Sequence, residues 1–263
     1  MTPTFPSTQP RGVRSGFGEL DQLMGDLQPG QLIFIASRYS MGKTAMALNI
    51  AEYVAVGEHL PVAIFCLESC TADLKKRLAS SISGIGVHEV QTGPLHGGKL
   101  HIEGNLRVSL KALSDRARCL RDQHGKLGLI VVDDLQCTHI SAKRGHALAS
   151  ELSALSQGLK LLAQEQGCPV IVPTQLGRAL EMRRDKRPRL TDLRAGGKQE
   201  QEADMIITIY RDDYYTADAS QSPGIAEISV VKNRSGNTGC VRLAFNQSLK
   251  KFENLASIEQ ESL

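Results

Sequence analysis

The fold is decided by the stretch Ser37-Arg38-Tyr39-Ser40-Met41-Gly42-Lys43-Thr44. It follows the apolar run 32–36, which predicts a buried strand, and it precedes Met46, Ile50 and Val54, which share one helical face. A loop in this position offers backbone N–H groups to an anion at a helix N-terminus, where the helix dipole adds to the attraction. The sequence therefore predicts a phosphate-binding loop.

Side chains in and near this loop have separate predicted roles. Lys43 can reach the β- and γ-phosphates of a nucleoside triphosphate, and the hydroxyl of Thr44 can ligate Mg²⁺. The residues predicted to contact the nucleotide are Ser37, Ser40, Met41, Gly42, Lys43, Thr44, Ala45 and Asp133. Ser37 stands where the pattern G-x-x-x-x-G-K-[ST] has its first glycine, so an ordinary strand-to-helix turn with a chance Gly-Lys-Thr is the alternative.

Strands and helices alternate along most of the chain. The apolar runs 62–67, 129–132 and 170–172 predict buried strands, and apolar residues at helical spacing lie between them. Thr71 is the predicted N-cap of the helix that follows the first of these runs. This alternation predicts an α/β fold with a mostly parallel, twisted sheet and helices on both faces.

Towards the C-terminus the pattern changes. The run 205–210 predicts one more strand, and the segments 225–232 and 240–245 alternate in polarity, which predicts a C-terminal antiparallel hairpin at a sheet edge. Segments 84–105 and 176–203 are rich in glycine, arginine or polar residues. We expect them to be long loops, which in compact domains are often functional.

Length and composition predict one globular domain. We expect a flexible N-terminal arm at 1–15, a folded domain at 16–253 and a C-terminal tail at 254–263. No run reaches the roughly 18 apolar residues of a membrane span, and the arm lacks the apolar core of a signal peptide, so we expect a cytoplasmic protein without a membrane partner. The six cysteines contain no Cys-x-x-Cys pair, which argues against a zinc or redox site.

Positive charge is concentrated near the middle of the chain. The net charge is only +3, but basic residues crowd the stretch 178–198, which we call the basic run. Such a run is usually a solvated loop, although it can also contact the phosphates of a nucleic acid. The chain has no tryptophan and few other aromatic residues, so a platform for base stacking is poorly supported.

Polar residues at predicted strand ends complete the candidate site. Asp133 ends an apolar run at the sheet edge where α/β proteins bind ligands, and it would hold Mg²⁺ together with Thr44. Glu68 follows another run and is the preferred base for the attacking water, with Asp134 as its rival. Gln175 would sense the γ-phosphate and report it to the following loop. Taken alone, an acid or an amide in these places can equally be a polar strand cap.

These residues resemble the C-terminal motor domain of the DnaB-type replicative helicases, within the RecA-like superfamily. The resemblance runs from about Gly16 to Glu253. The family often lacks the same loop glycine and reads Arg-Pro-Ser-Met-Gly-Lys-Thr, where this chain has Tyr39 in place of proline. The other segments that carry the resemblance are Gly16-Phe17-Gly18-Glu19-Leu20-Asp21, Phe65-Cys66-Leu67-Glu68, Val132-Asp133-Asp134-Leu135-Gln136, Thr174-Gln175-Leu176 and Val231-Lys232-Asn233-Arg234-Ser235-Gly236.

The resemblance implies a RecA-like P-loop NTPase core that binds ATP and Mg²⁺ and acts on single-stranded DNA as a homo-oligomer, a hexameric ring. In the family, the lysine and arginine that match Lys232 and Arg234 reach the γ-phosphate of the neighbouring subunit. They lie two apart on an alternating strand and so point the same way; a solvent-facing pair beside a turn is the alternative. The implied catalytic residues are Glu68, Lys43, Gln175, Lys232, Arg234 and Arg77. Partners such as a loader or a primase are not readable from the sequence.

The chain also departs from the family pattern. The family's DNA-facing loop Asp-Leu-Arg-Glu-Ser-Gly is Asp192-Leu193-Arg194-Ala195-Gly196-Gly197 here, which leaves the grip on DNA open. The predicted DNA contacts are Arg194, Gly196, Gly197 and Lys198. The helical domain and linker helix that precede the family's motor are not in the sequence, so we expect either an excised domain or a stand-alone protein.

Three functions are consistent with these residues. The leading expectation is an ATP-driven motor on single-stranded DNA, hence a DNA helicase of replication. The altered positions 195–196 favour the alternative, a DnaB/RecA-like ATPase without unwinding activity that serves as a regulatory or partner-binding switch. A module that binds nucleotide without turnover is the third, and it conflicts with the presence of Glu68.

Overall fold

The computed structural model describes residues 12–67, 71–90, 98–104, 109–133, 146–193, 199–216, 220 and 222–255, with backbone alone for 146–151 and 199. The strands in these ranges form a nine-stranded sheet. They are β1 (Leu32–Ser37), β2 (Val62–Cys66), β3 (Leu100–Gly104), β4 (Leu129–Asp133), β5 (Val170–Gln175), β6 (Met205–Arg211), β7 (Ile225–Asn233), β8 (Gly239–Asn246) and β9 (Lys251–Asn254). The α-helices are α1 (Gly18–Met24), α2 (Lys43–Val56), α3 (Thr71–Ser83), α4 (Leu110–His124), α5 (His146–Gln166), α6 (Gln199–Glu202) and α7 (Asp213–Thr216).

The sheet changes from parallel to antiparallel at β6. The strand order is β3-β2-β4-β5-β1-β6-β7-β8-β9. Neighbouring strands from β3 to β6 are parallel, and those from β6 to β9 are antiparallel. The predicted mostly parallel sheet and C-terminal antiparallel hairpin are thereby confirmed. Because β1 lies between β5 and β6, the loop that follows it opens at the middle of the carboxyl edge.

Alternate side chains of the central strands enter two separate cores. In β1, Leu32, Phe34 and Ala36 pack on the side of α4 and α5. Ile33 and Ile35 pack on the other side, with α1, α2 and α3. All five side chains are completely buried. Strands covered on both faces are continuous apolar runs in the sequence, and this is why the sequence analysis locates them.

Two strands and one cap differ from the sequence prediction. β3 lies within the segment 84–105, so the prediction of a loop was wrong for its last residues. This strand is at the sheet edge and only Leu100 is buried, which leaves no continuous apolar run to detect. β9 extends the predicted hairpin by a third strand, in which only Phe252 is buried. Thr71 is the first residue of α3 rather than a residue preceding it.

The ends of the described chain pack on the domain. Val13 is buried and exchanges backbone hydrogen bonds of 3.0 and 2.8 Å with Leu27. Residues 12–15, which the sequence analysis assigns to a flexible arm, therefore pack on the domain. Asn254 is part of β9 and its Oδ1 accepts a hydrogen bond from the Gly18 amide at 3.1 Å. No helix in the described ranges is long and apolar enough to cross a membrane.

Candidate functional site

The phosphate loop joins β1 to α2 through two left-handed residues. The φ angles are 59° at Ser40 and 104° at Gly42. A Cβ atom at Gly42 would lie 2.7 Å from the ring of Phe252, which is buried. The loop therefore ends in a turn that suits glycine on both grounds, directly before the N-terminus of α2, where bound anions are favoured.

Thr44 and Asp133 meet beside this loop. The Thr44 hydroxyl donates a hydrogen bond to Oδ1 of Asp133 at 2.9 Å. Asp133 is the last residue of β4 and only 1% exposed. It pairs in register with Cys66 at the end of β2, so the two strands end side by side. A hydroxyl and a carboxylate are oxygen donors of the kind that Mg²⁺ prefers, and the pair fits that ion.

The loop forms one wall of a cleft of about 1050 Å³. The predicted residues that line it are Ser40, Gly42, Lys43, Thr44, Ala45, Arg77, Asp133 and Gln175. Ser37 and Met41 do not line it, since both are buried beneath the loop. The Ser37 hydroxyl donates to the carbonyl oxygen of Arg38 at 2.8 Å. The prediction that these two residues contact the nucleotide is therefore not supported by their place in the fold.

The opposite wall comes from β6, β8 and the turn before β9. Arg211 is 5% exposed, and its guanidinium carbon lies 4.2 Å from the ring centroid of Phe245. Its Nη2 donates to Asp213 at 3.1 Å and to Gln247 at 3.3 Å. The sequence analysis missed Phe245, Gln247 and Lys250, because they are far from the phosphate loop in the chain. What these three residues share is a position at the same edge of the sheet, and this position is known only once the order of the strands is known.

Positive charge collects where the two walls meet. The pKa of Lys250 is lowered, because burial disfavours its ammonium ion and because Arg211 and Arg77 lie nearby. Lys250 also has a left-handed backbone, with φ of 53°. With Lys43 in the loop, four cationic side chains line the cleft together with three carboxylates, Asp73, Asp133 and Asp213, of which Asp213 is paired with Arg211. The cations in excess of these carboxylates can contact the phosphates of a nucleotide, and a carboxylate such as Asp133 can help to hold its metal ion.

Lys232 and Arg234 lie at the other edge of the sheet. Lys232 pairs in register with Ile206, near the start of β6, whereas Arg211 at the end of β6 lines the cleft. The stretch of β6 between these two positions is about 17 Å long at roughly 3.4 Å per residue. The two basic side chains are therefore out of reach of the cleft in their own chain.

Both basic side chains bind the segment before β6. The Lys232 ammonium donates to the carbonyl oxygen of Glu200. Arg234 donates to the carbonyl oxygen of Gln201, and its Nη1 lies 3.3 Å from Oδ1 of Asp204. They thus point the same way. The pKa of Lys232 is lowered by burial and by the neighbouring Arg234, which places two like charges close together at this edge.

Part of the basic run is paired within the chain. Arg183 donates to Asp192 at 2.9 Å, and Arg187 donates to both carboxylate oxygens of Glu227 at 2.6 and 2.8 Å. The first ion pair joins two parts of the run, since Asp192 belongs to the 3₁₀ helix Leu190–Asp192, and the second holds the run against β7. The predicted residues outside the described ranges are Glu68, Asp134, Arg194, Gly196, Gly197 and Lys198.

Comparisons with known proteins agree with this architecture. The family described as DnaB-like helicase C terminal domain matches residues 12–254. The chain belongs to this family. The replicative DNA helicase DnaB of Geobacillus stearothermophilus is 40% identical over 258 residues, which cover 93% of this chain and 57% of that protein. The replicative DNA helicase DnaC of Bacillus subtilis is 39% identical, with the same coverage of both chains.

Solved structures show the same fold. A DnaB-like replicative helicase, described together with its interactions with primase, has a TM-score of 0.83 and 32% identity, covering 95% of this chain and 65% of that one. The RadB recombinase has a TM-score of 0.64 at 18% identity, covering 92% and 99%, which shows a shared fold alone. The predicted DnaB-like family and RecA-like fold are thus confirmed, and together they support an NTPase-type enzyme. The DnaB-like chain spans just over half the length of its curated relatives.

Proposed function

We propose that this chain is the ATP-hydrolysing motor domain of a replicative DNA helicase that works as a ring on single-stranded DNA. The observation that carries the proposal is the cleft of a DnaB-like domain in which Lys43, Thr44 and Asp133 stand together at the carboxyl edge of the sheet. Arg77 and Gln175 line the same cleft. This is the arrangement that phosphoryl transfer from a nucleotide requires.

One chain would bind the triphosphate and prepare its hydrolysis. The loop backbone and Lys43 would hold the phosphates, while Thr44 and Asp133 would hold Mg²⁺. The ion, when bound, neutralises charge on the phosphate oxygens. Glu68 would accept a proton from the attacking water, with Asp134 as the rival base. Gln175, at the end of β5, would detect whether the γ-phosphate is present.

A neighbouring chain would complete the site with Lys232 and Arg234. Their position at the edge opposite the cleft supports this division, since a chain that presents this edge to the next cleft brings the two halves together. Arginine fingers of this kind are typically worth a factor of about 10³ or more in rate. A homo-oligomeric ring, proposed here as a hexamer, supplies such a contact at every cleft.

DNA would bind along the segment that leaves the cleft after Gln175. The proposed contacts are Arg194, Lys198 and the backbone of Gly196 and Gly197, which suit phosphates rather than bases. This chain has Ala195 where the family has a glutamate. This difference favours the second candidate function, an ATPase without unwinding activity that uses ATP to regulate the binding of a partner.

ATP turnover with and without single-stranded DNA, measured over a range of protein concentrations, tests the proposal. We expect turnover per chain to rise with protein concentration, to rise again with DNA, and to disappear in Lys43→Ala. Lys75→Ala, which changes an exposed lysine of α3, is the matched control and should behave as the wild type. Turnover that ignores DNA, with no strand separation, would favour the switch. Calorimetry that showed no uptake of Mg·ATP would contradict the motor itself.

A further inference from the structure

The phosphate loop is tied to the segment after β5 by the side chain of Arg38. This guanidinium is buried, with 7% of the side chain exposed, and its Nε donates to Oε1 of Glu181 at 2.8 Å. Its Nη1 donates to the carbonyl oxygen of Leu176. The Leu176 amide in turn donates to the Ser37 carbonyl oxygen at 2.9 Å. Three hydrogen bonds therefore join the first residues of the loop to the segment 176–181.

Each end of this connection is itself fixed. Arg38 directly follows β1, and Leu176 directly follows Gln175 at the end of β5. Glu181 belongs to the 3₁₀ helix Arg178–Met182, which is anchored by the buried side chain of Leu180. Because both ends are held by packed elements, a movement of the loop base would displace the 3₁₀ helix as well.

The contacts continue from Glu181 to Lys186, farther along the basic run. The pKa of Tyr215 is raised by burial and then by the nearby carboxylate of Glu181, while Arg38 opposes that effect. The buried Tyr215 hydroxyl has no hydrogen-bond partner among the described residues. The ammonium group of Lys186 lies 4.7 Å from the centroid of the Tyr215 ring. A continuous set of packed and charged groups thus leads from the phosphate loop to the basic run.

We propose that Arg38 and Glu181 form a strut that makes the segment 176–193 follow the phosphate loop, so that nucleotide in the cleft changes how the basic run is presented. Arg38 is then a positioning residue rather than a catalytic one, because it contacts the segment and not the cleft. The inference rests on the proposed function in one respect, namely that the cleft binds Mg·ATP. The carbonyl of Leu176 and the carboxylate of Glu181 need two donors in fixed geometry, which arginine provides and lysine does not.

Amide hydrogen exchange of 176–193, with and without Mg·AMP-PNP, tests the strut without relying on turnover. In the wild type we expect nucleotide to slow exchange in this segment. In Glu181→Ala and in Arg38→Lys we expect the nucleotide-dependent change to fall by roughly two- to thirtyfold, the span of typical changes in coupling. In Glu181→Ala the Kd for Mg·AMP-PNP should stay within about twofold. Glu181→Gln keeps a hydrogen-bond acceptor and should fall between them and the wild type.

Glu103→Ala is the matched control. It removes a comparably short ion pair, in which Arg116 Nε donates to Glu103 at 2.5 Å, on β3 and α4, away from this segment. It should retain the full nucleotide-dependent change. Normal protection of 176–193 in Glu181→Ala would overturn the strut and leave the proposed function standing, as would a wild type that binds Mg·AMP-PNP without any change in this segment. A wild type that shows no binding by calorimetry would overturn both.

Discussion

At Gly42 both the left-handed backbone and the close packing favour glycine. At Gly125 only the left-handed backbone does. Both glycines have positive φ, 104° and 80°. An alanine in either place would meet the left-handed penalty of roughly 1–2 kcal/mol. At Gly42 the new carbon would also lie 2.7 Å from Phe252, whereas at Gly125 no described atom lies within 4 Å.

We therefore expect Gly42→Ala to lower the free energy of unfolding by a further ~1–3 kcal/mol beyond Gly125→Ala, in the range of overpacked cores. Urea denaturation of the two variants and the wild type measures this difference. Equal losses in the two variants would mean that the contact with Phe252 relaxes without cost. Such a result would remove packing as a reason for glycine at this position.

Among the elements, the edge strand β3 has an unusual contact with α4. The ring of His101 in β3 lies 4.5 Å, centroid to centroid, from the ring of His124 at the end of α4. The pKa of His101 is lowered, first by burial and then by the charge of His124, with Arg116 acting in the same direction and Glu103 opposing. The fold thus favours the neutral imidazole at position 101.

This preference predicts how stability depends on pH. Between the lowered pKa of folded His101 and its ordinary value near 6.5, the unfolded chain binds more protons than the folded one. The free energy of unfolding should therefore rise with pH through this window. The contribution of His101 to stability should decrease as pH falls below about 6.5. Urea denaturation at pH 5 and pH 7.5 tests it, and His101→Gln should reduce the difference between the two. The exposed His88 serves as a control in His88→Gln, and an undiminished difference in His101→Gln would refute the assignment.

Whether a strand can be predicted from the sequence depends on how many of its side chains are buried. β1 is covered on both faces and gives an unbroken apolar run, and the loop with Lys43 and Thr44 is recognisable because its residues are contiguous. β3 and β9 each bury one large apolar side chain, Leu100 and Phe252, so neither leaves a periodic signal. The part of the second wall that holds Phe245, Gln247 and Lys250 has no local signal, since these residues come from separate elements that only the sheet order brings together.

For the whole molecule, the main consequence of the proposed function is that one chain would carry two half-sites. The cleft is at the carboxyl edge of the parallel strands, and the pair Lys232 and Arg234 is at the other edge. A variant that loses only the cleft and a variant that loses only the pair should therefore complement each other when they assemble together.

We expect Arg234→Ala to lower turnover by about 10³-fold and Lys43→Ala to abolish it. An equimolar mixture should regain activity, because random assembly into a head-to-tail ring pairs an intact cleft with an intact arginine at about a quarter of the contacts. Steady-state ATP turnover of the mixture measures this recovery. Mixing Arg234→Ala with the double variant Lys43→Ala/Arg234→Ala is the control and should recover nothing. If the first mixture recovered no more than this control, the site would not be shared.

The placement of the half-sites at opposite edges also gives each chain a direction. In the proposed assembly, contacts between chains would join unlike surfaces. An open row of chains would then have a cleft without a neighbouring arginine at one end, and at the other end a Lys232 and Arg234 pair without a cleft. When one more chain closes the row into a circle, it completes two working centres rather than one. Turnover per chain should thus increase at closure by about one fifth for a ring of six compared with an open row of six, because the open row leaves one cleft incomplete.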